Sequence, residues 1–283
     1  MDNLKSVKKY EKRTKRTYLS FQDSKKDSWG GIVYKKREAN MFTDSKLIFD
    51  SYTEFLLKKL KNKYIRITDF GGGDGVLLNT ISHQLGSDYN LDLTNIDLTK
   101  KSIDICLKKY PKIRVINQDF LKTNILNQDV ALSRFIIHYL NKKKTKSYFK
   151  KVFLSLRSGG FFILQNVESI FNNKAFEKFF AEVREAIAGE KSANMNNMNF
   201  MPDSNSAKSL LKEAGFSVYS QIFSTPVLYS VRNWQSRFDL SQKQILKLEN
   251  IYNHYYKKNP EIFIKKDNRL YANAQLFVVY AKK

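Results

Sequence analysis

The sequence predicts an α/β fold, a mostly parallel sheet with helices on both faces. Three observations carry this expectation. Segments of strand and helix character alternate between residues 64 and 166. The run Phe161-Phe162-Ile163-Leu164 is uninterruptedly apolar, as in a strand buried on both faces. A glycine turn, Gly71-Gly72-Gly73-Asp74-Gly75, joins the first strand to the first helix of the alternation.

The elements follow in order. Residues 43–61 read as a helix capped by Thr43 or Asp44, with Leu47, Ile48, Tyr52, Phe55, Leu56 and Leu60 at helical spacing. Strand one covers 64–70 and its helix 75–86. Strand two covers 91–97, followed by a helix over 99–110 that Pro111 stops. Strands three and four cover 113–118 and 129–133. A helix over 144–156 ends at Gly159-Gly160, and strand five covers 161–166. Beyond it the pattern predicts a phenylalanine-rich helix over 169–190 and a polar loop over 192–205. A short helix from Ser206 to Ala214 follows, with Gly215 as its C-cap. Then come a strand Phe216–Phe223, a helix over 227–258 carrying Tyr229, Trp234 and Phe238, and a final strand Leu276–Tyr280. Residues 1–62 are expected to form a basic arm and helix. Residues 63–283 are expected to form the α/β domain, with lid segments at about 168–205 and 226–269.

Composition narrows the class. The chain has 283 residues, 42% of them hydrophobic, enough for one large α/β domain with a normal core. No apolar run approaches the roughly 18 residues of a membrane span, and the charged N-terminus lacks the apolar region of a secretory signal. Cys106 is the single cysteine, so no intramolecular disulfide forms, and a small core residue is its expected role. These features predict a cytoplasmic protein. The net charge is +23, unevenly spread. Residues 1–66 hold 18 Lys and Arg against 8 Asp and Glu, residues 67–140 hold 8 against 8, and residues 141–283 hold 24 against 11. The segment around the glycine turn is therefore neutral. The excess elsewhere suits a solvated lysine surface, an anionic small substrate or nucleic acid. Lysine outnumbers arginine 39 to 11, which favours the first.

The turn has a chemical logic. Glycines permit positive φ and close approach of a ligand to the main chain. Asp97 closes strand two, 22 residues after Gly75, where a carboxylate accepts hydrogen bonds from a ribose diol. Asp69, just before the glycines, would repel a pyrophosphate but suits a cationic amino-acid group. Asp69-x-Gly71-x-Gly73-x-Gly75 resembles motif I of the class I S-adenosylmethionine-dependent methyltransferases. Asn95-Ile96-Asp97-Leu98, Asn117-Gln118-Asp119-Phe120, the segment from Asp129 to Leu140, and Leu156–Leu164 resemble that family's following segments in order. Ser158 stands where the family commonly has proline.

The resemblance implies a Rossmann-like, seven-stranded, mostly parallel sheet and S-adenosylmethionine as cofactor. It implies that Asp69, Phe70, Gly71, Gly73, Gly75, Asp97, Leu98, Asp119, Phe120 and Ser133 line the cofactor. Asp119 would lie near the adenine amino group, with a loop-capping carboxylate as the alternative. Phe120 would stack on the ring or serve as a core aromatic. Arg134, at the end of strand four, would hold an anionic acceptor or pair with a nearby carboxylate. His138, one turn on, would be a general base or a structural histidine. Trp234 of the lid is a candidate substrate contact.

No Cys/His cluster has metal-ligand spacing, and none of the prolines follows strand four as in the nucleobase amino-methylating relatives. Three functions stay open. One is methyl transfer to a small anionic or aromatic metabolite, in the manner of the trans-aconitate and juvenile-hormone-acid enzymes that the excursion before the last strand loosely resembles. The others are RNA methylation using the basic regions, and a catalytically silent binding subunit. The sequence is open on oligomeric state.

Overall fold

The computed structural model describes residues 45–169, 173–188, 202–237, 240–266 and 268–283. The expected basic arm and most of the expected polar loop lie outside these residues. The first described element is α1 (Ser45–Lys59), which leads into β1 (Tyr64–Phe70). The alternation continues through α2 (Val76–Leu85), β2 (Asn90–Asp97), α3 (Lys100–Lys109), β3 (Arg114–Asn117), β4 (Gln128–Arg134), α4 (Lys142–Ser155) and β5 (Leu156–Ser169). Then follow α5 (Asn173–Ala188), α6 (Ser204–Glu213), β6 (Ser217–Tyr229), α7 (Val231–Arg237), α8 (Gln242–Lys258), β7 (Phe263–Lys266) and β8 (Arg269–Lys282).

Seven strands form one continuous sheet in the order β3-β2-β1-β4-β5-β8-β6, and β7 pairs with β8 off that path. β1 to β5 pair in parallel, whereas β8 is antiparallel to β5 and β6. The parallel strands therefore all end at one edge, and the order reverses between β1 and β4. A crevice at such a reversal is where α/β sheets place ligands.

Alternation along the strands builds two cores. Ile65 and Ile67 of β1 pack with α1, α2, α5 and α8, through Tyr52, Leu56, Leu78, Phe179 and Tyr252 among others. Phe70 of β1 turns to the opposite face with Ala131, Phe162 and Leu164, under α4 and α6. Burying each such side chain contributes about 1.5–3 kcal/mol. At the far end of β4, Asp129 accepts from the Arg66 backbone N–H and pairs with Arg157.

The expected elements are present, with four differences, the first being that the helix expected over 227–258 is two, α7 and α8, the second started afresh by the Ser241 cap. β5 runs longer at both ends because Leu156 pairs with Gln128, and Ser169 with Ala274. Residues 227–229, expected as helix, extend β6 because they pair with Ala274, Asn273 and Ala272 of β8; the helix begins only after Ser230. Ser230 starts it by exchanging hydrogen bonds with Asn233. β8 starts at Arg269, earlier than expected, because β7 forms a hairpin with it.

The rings of the expected lid pack on one another. Tyr229 and Trp234 stack with centroids 5.5 Å apart, Phe180 meets both edge-on, and Phe179 in turn meets Phe180, Tyr252 and Phe263 edge-on. Trp234 donates its Nε1–H to the Tyr252 hydroxyl (2.9 Å), which donates to the Tyr229 carbonyl (3.0 Å). Trp234, expected against the substrate, is thus a buried member of this aromatic layer, and its polar atom is satisfied inside it. Among the described residues, no helix is long and apolar enough to cross a membrane.

Candidate functional site

The chain leaves β1 at Phe70 and makes the glycine turn before α2. Gly71, Gly73 and Gly75 have φ of 80°, 58° and 80°, a region that favours glycine. A Cβ on Gly75 would overlap the Cys106 sulfur, so the glycine is what lets α3 approach the turn, and Cys106 is buried there as a core residue. A Cβ on Gly73 would meet no protein atom within 4 Å. Gly73 therefore faces open space at the carboxyl ends of the strands.

β2 clamps that glycine from both sides. Asn95 Nδ2 donates to the Gly73 carbonyl (2.8 Å), and the Gly73 N–H donates to Asp97 Oδ2 (3.0 Å). The other Asp97 oxygen accepts the Thr99 N–H (2.8 Å), which fixes the carboxylate at the start of α3. Burial pushes the Asp97 carboxyl above the ordinary range, against these two backbone donors, and Asp74 adds to the rise.

Asp69 is 1% exposed and its Oδ1 has no hydrogen-bond partner. Burial raises its carboxyl to about 7, opposed by the Arg134 guanidinium and reinforced by Asp97. Asp74 Oδ2, Asn95 Oδ1, Thr99 Oγ1 and Ser133 Oγ are likewise buried without a partner. Buried polar atoms are normally hydrogen-bonded, so this concentration around one turn marks capacity kept for a ligand. Three buried carboxylates face one half-buried guanidinium, so the turn favours cationic groups and hydrogen-bond donors over phosphates.

The remaining expected residues lie along the same edge of the sheet. Leu98 follows Asp97 and is half-buried. Asp119 caps the short turn Phe120–Lys122 through Oδ1, which accepts the Leu121 N–H (3.0 Å); this is the capping role weighed for it. Phe120 is half-buried against the Tyr148 ring, 4.7 Å between centroids. Arg134 ends β4 with its guanidinium 5.8 Å from the Phe135 ring. Phe135 takes φ of 56°, costly for a side chain of its size, and its N–H bonds the Gln165 carbonyl (3.0 Å). The chain thus turns off the sheet immediately after Arg134. His138 is buried with Nδ1 3.0 Å from Asn166 Oδ1, an acceptor that fixes the Nδ1–H tautomer and places a neutral ring's lone pair on Nε2.

Asp74, Asn95 and Thr99 join the site without having been given a role from sequence, although Asp74 lies within the quoted glycine turn and Asn95 within the quoted strand-two segment. Asn95 lies two residues before Asp97, so strand alternation alone puts both on one face beside the turn. Asp74 is placed by the turn itself, and for Thr99 the signal arises only from packing.

Residues 67–160 match the family described as the methyltransferase domain. A carboxy-S-adenosyl-L-methionine synthase of Nautilia profundicola is 24% identical over 132 residues, covering 45% of this chain and 55% of that protein. The chain thus matches only about half the length of that curated relative. A solved Bacillus halodurans protein described as a methyltransferase aligns with a TM-score of 0.62 at 16% identity, over 82% of this chain and 99% of that one. Phosphoethanolamine N-methyltransferase 2 of Haemonchus contortus, solved with phosphomonomethylethanolamine and S-adenosylhomocysteine, aligns at 0.56 and 14% identity, over 94% and 60%.

Proposed function

We propose that this chain, whose residues 67–160 match the methyltransferase domain, transfers a methyl group from S-adenosylmethionine to a small anionic or aromatic metabolite. The observation that carries this reading is the glycine turn. Gly73 opens onto free space between Asp69, with an orphan oxygen, and Asp97, held by two backbone donors.

Bound S-adenosylmethionine would supply an activated methyl, leaving the protein to orient the partners and exclude water. Asp97 would accept the ribose hydroxyls on its remaining lone pairs. Asp69 Oδ1 would accept from the methionine ammonium. Leu98, Asp119 and Phe120 would border the adenine, and Ser133 would border the cofactor at the end of β4. Arg134 would engage an anionic group of the acceptor, and this half-buried guanidinium at the rim favours an anionic acceptor. Trp234 and its neighbours pack on one another, so their rings hold the layer together and do not mark an aromatic acceptor. His138, oriented by Asn166, would take a proton at Nε2 where the acceptor is an alcohol or amine.

The test is an incubation with S-adenosylmethionine and, in parallel, pools of anionic metabolites and bulk RNA, with mass detection of every cofactor-derived product. Demethylated cofactor with a methylated small anion supports the reading. Methylated RNA, or a carboxylated cofactor of the kind named in the Nautilia relative, overturns it.

A further inference from the structure

Tyr148 is fully buried, yet its hydroxyl has no hydrogen-bond partner. It projects from α4 among Phe70, Phe120, Phe149 and Phe162, with centroids 4.7–6.3 Å away. Phenylalanine would fill the same space without stranding a polar atom, a cost of about 1–3 kcal/mol. The hydroxyl faces Ser133 Oγ, itself 2% exposed and outside hydrogen-bond geometry with any described residue. Register places Ser133 beside Phe70 at the carboxyl end of β4, on the same face as Ala131, Leu164 and Tyr148. Two unsatisfied hydroxyls therefore meet beneath the edge of the sheet where Gly73 opens. Burial pushes the Tyr148 phenol up, so it stays protonated and serves as a donor.

We infer that Tyr148 is a positioning residue of the cofactor site: when the cofactor binds, its hydroxyl closes onto Ser133 as a donor and so directs the Ser133 O–H toward the cofactor. A lone serine hydroxyl rotates freely. One held by a donor behind it has its own proton aimed forward, so the order of ligand binding is partly prepaid. The inference rests on the S-adenosylmethionine reading of the turn.

The test measures S-adenosylmethionine affinity and melting temperature for Tyr148→Phe, Ser133→Ala and the double variant. Tyr148→Phe should melt no lower than the parent, yet bind about five- to tenfold more weakly, the loss of one modest hydrogen bond. In the Ser133→Ala background the same change should have no further effect on affinity. Unchanged affinity in Tyr148→Phe would overturn the inference, as would a full additional loss in the double variant. So would lower melting with intact affinity, since the hydroxyl would then be structural. A folded parent protein that binds no S-adenosylmethionine would overturn the proposed function as well, and is recognised before any variant is compared.

Discussion

The glycine-turn edge of the sheet and the aromatic layer of α5, α7 and α8 are built from equally buried residues, but they treat their polar atoms in opposite ways. In the layer every polar ring atom named above has a partner. Trp234 donates to Tyr252, Tyr252 to the Tyr229 carbonyl, and Tyr255 to Glu182 at 2.7 Å. At the turn, Asp69, Asp74, Asn95, Thr99 and Ser133 keep buried oxygens without partners, and Phe135 holds a costly backbone conformation. A fold that can satisfy its polar groups in one place and leaves them open in another separates packing from binding. The comparison predicts that stability and cofactor affinity respond to different residues.

The largest effect should follow Trp234→Ala. Removing a buried indole from the layer should cost about 3–5 kcal/mol in denaturant unfolding, while the folded fraction binds S-adenosylmethionine as before. A loss of affinity without loss of stability would move Trp234 back to the binding side. Asp97→Ala should do the reverse. Two charge-assisted hydrogen bonds to a ribose would vanish, and affinity should fall by roughly two orders of magnitude with the circular dichroism spectrum retained. Equal affinity would remove Asp97 from the site.

Asp69→Asn sits where the two properties oppose each other. The folded carboxyl titrates at about 7, against 3.8 as the ordinary value. Below that ordinary value both states are protonated. Between the two values the unfolded chain ionises while the folded one stays protonated, so stability falls as pH rises through this window and levels off above about 7. The asparagine variant lacks this loss. It should melt a few degrees higher than the parent at pH 8, with no advantage at pH 4, and bind the cofactor more weakly. An advantage independent of pH would contradict the account. The smallest effect should follow Tyr255→Phe. Its hydroxyl bonds a glutamate at the surface of the layer, so unfolding should shift by about 0.5–1 kcal/mol and cofactor affinity should not change.

Much of this division is legible in sequence, for different reasons in the two regions. The strand-turn-helix around Gly71 to Gly75 is local, and Asp97 lies one strand away, so spacing alone brings them together. Asn95 follows from the same strand by alternation. Tyr148 is different. It reads as one of α4's apolar positions, and only the meeting of α4 with β4 reveals that its hydroxyl is stranded. The layer is harder still. Tyr229 looks helical in isolation, but its backbone pairs with Ala272, over forty residues later, and that non-local pairing decides its state. Trp234 looks like a lid residue until Tyr252 is brought against it. Aromatic content alone does not distinguish a ring that faces a ligand from one that holds helices together.

The most direct measurement is a calorimetric titration of the folded chain with S-adenosylmethionine, alongside Asp97→Ala and NAD as controls. The account predicts saturable one-to-one binding by the parent, at least tenfold weaker binding by the variant, and none of NAD, whose pyrophosphate would meet Asp69 and Asp74. A folded parent that ignores S-adenosylmethionine, or a variant that binds it equally well, would contradict the claim that the glycine turn is a cofactor site.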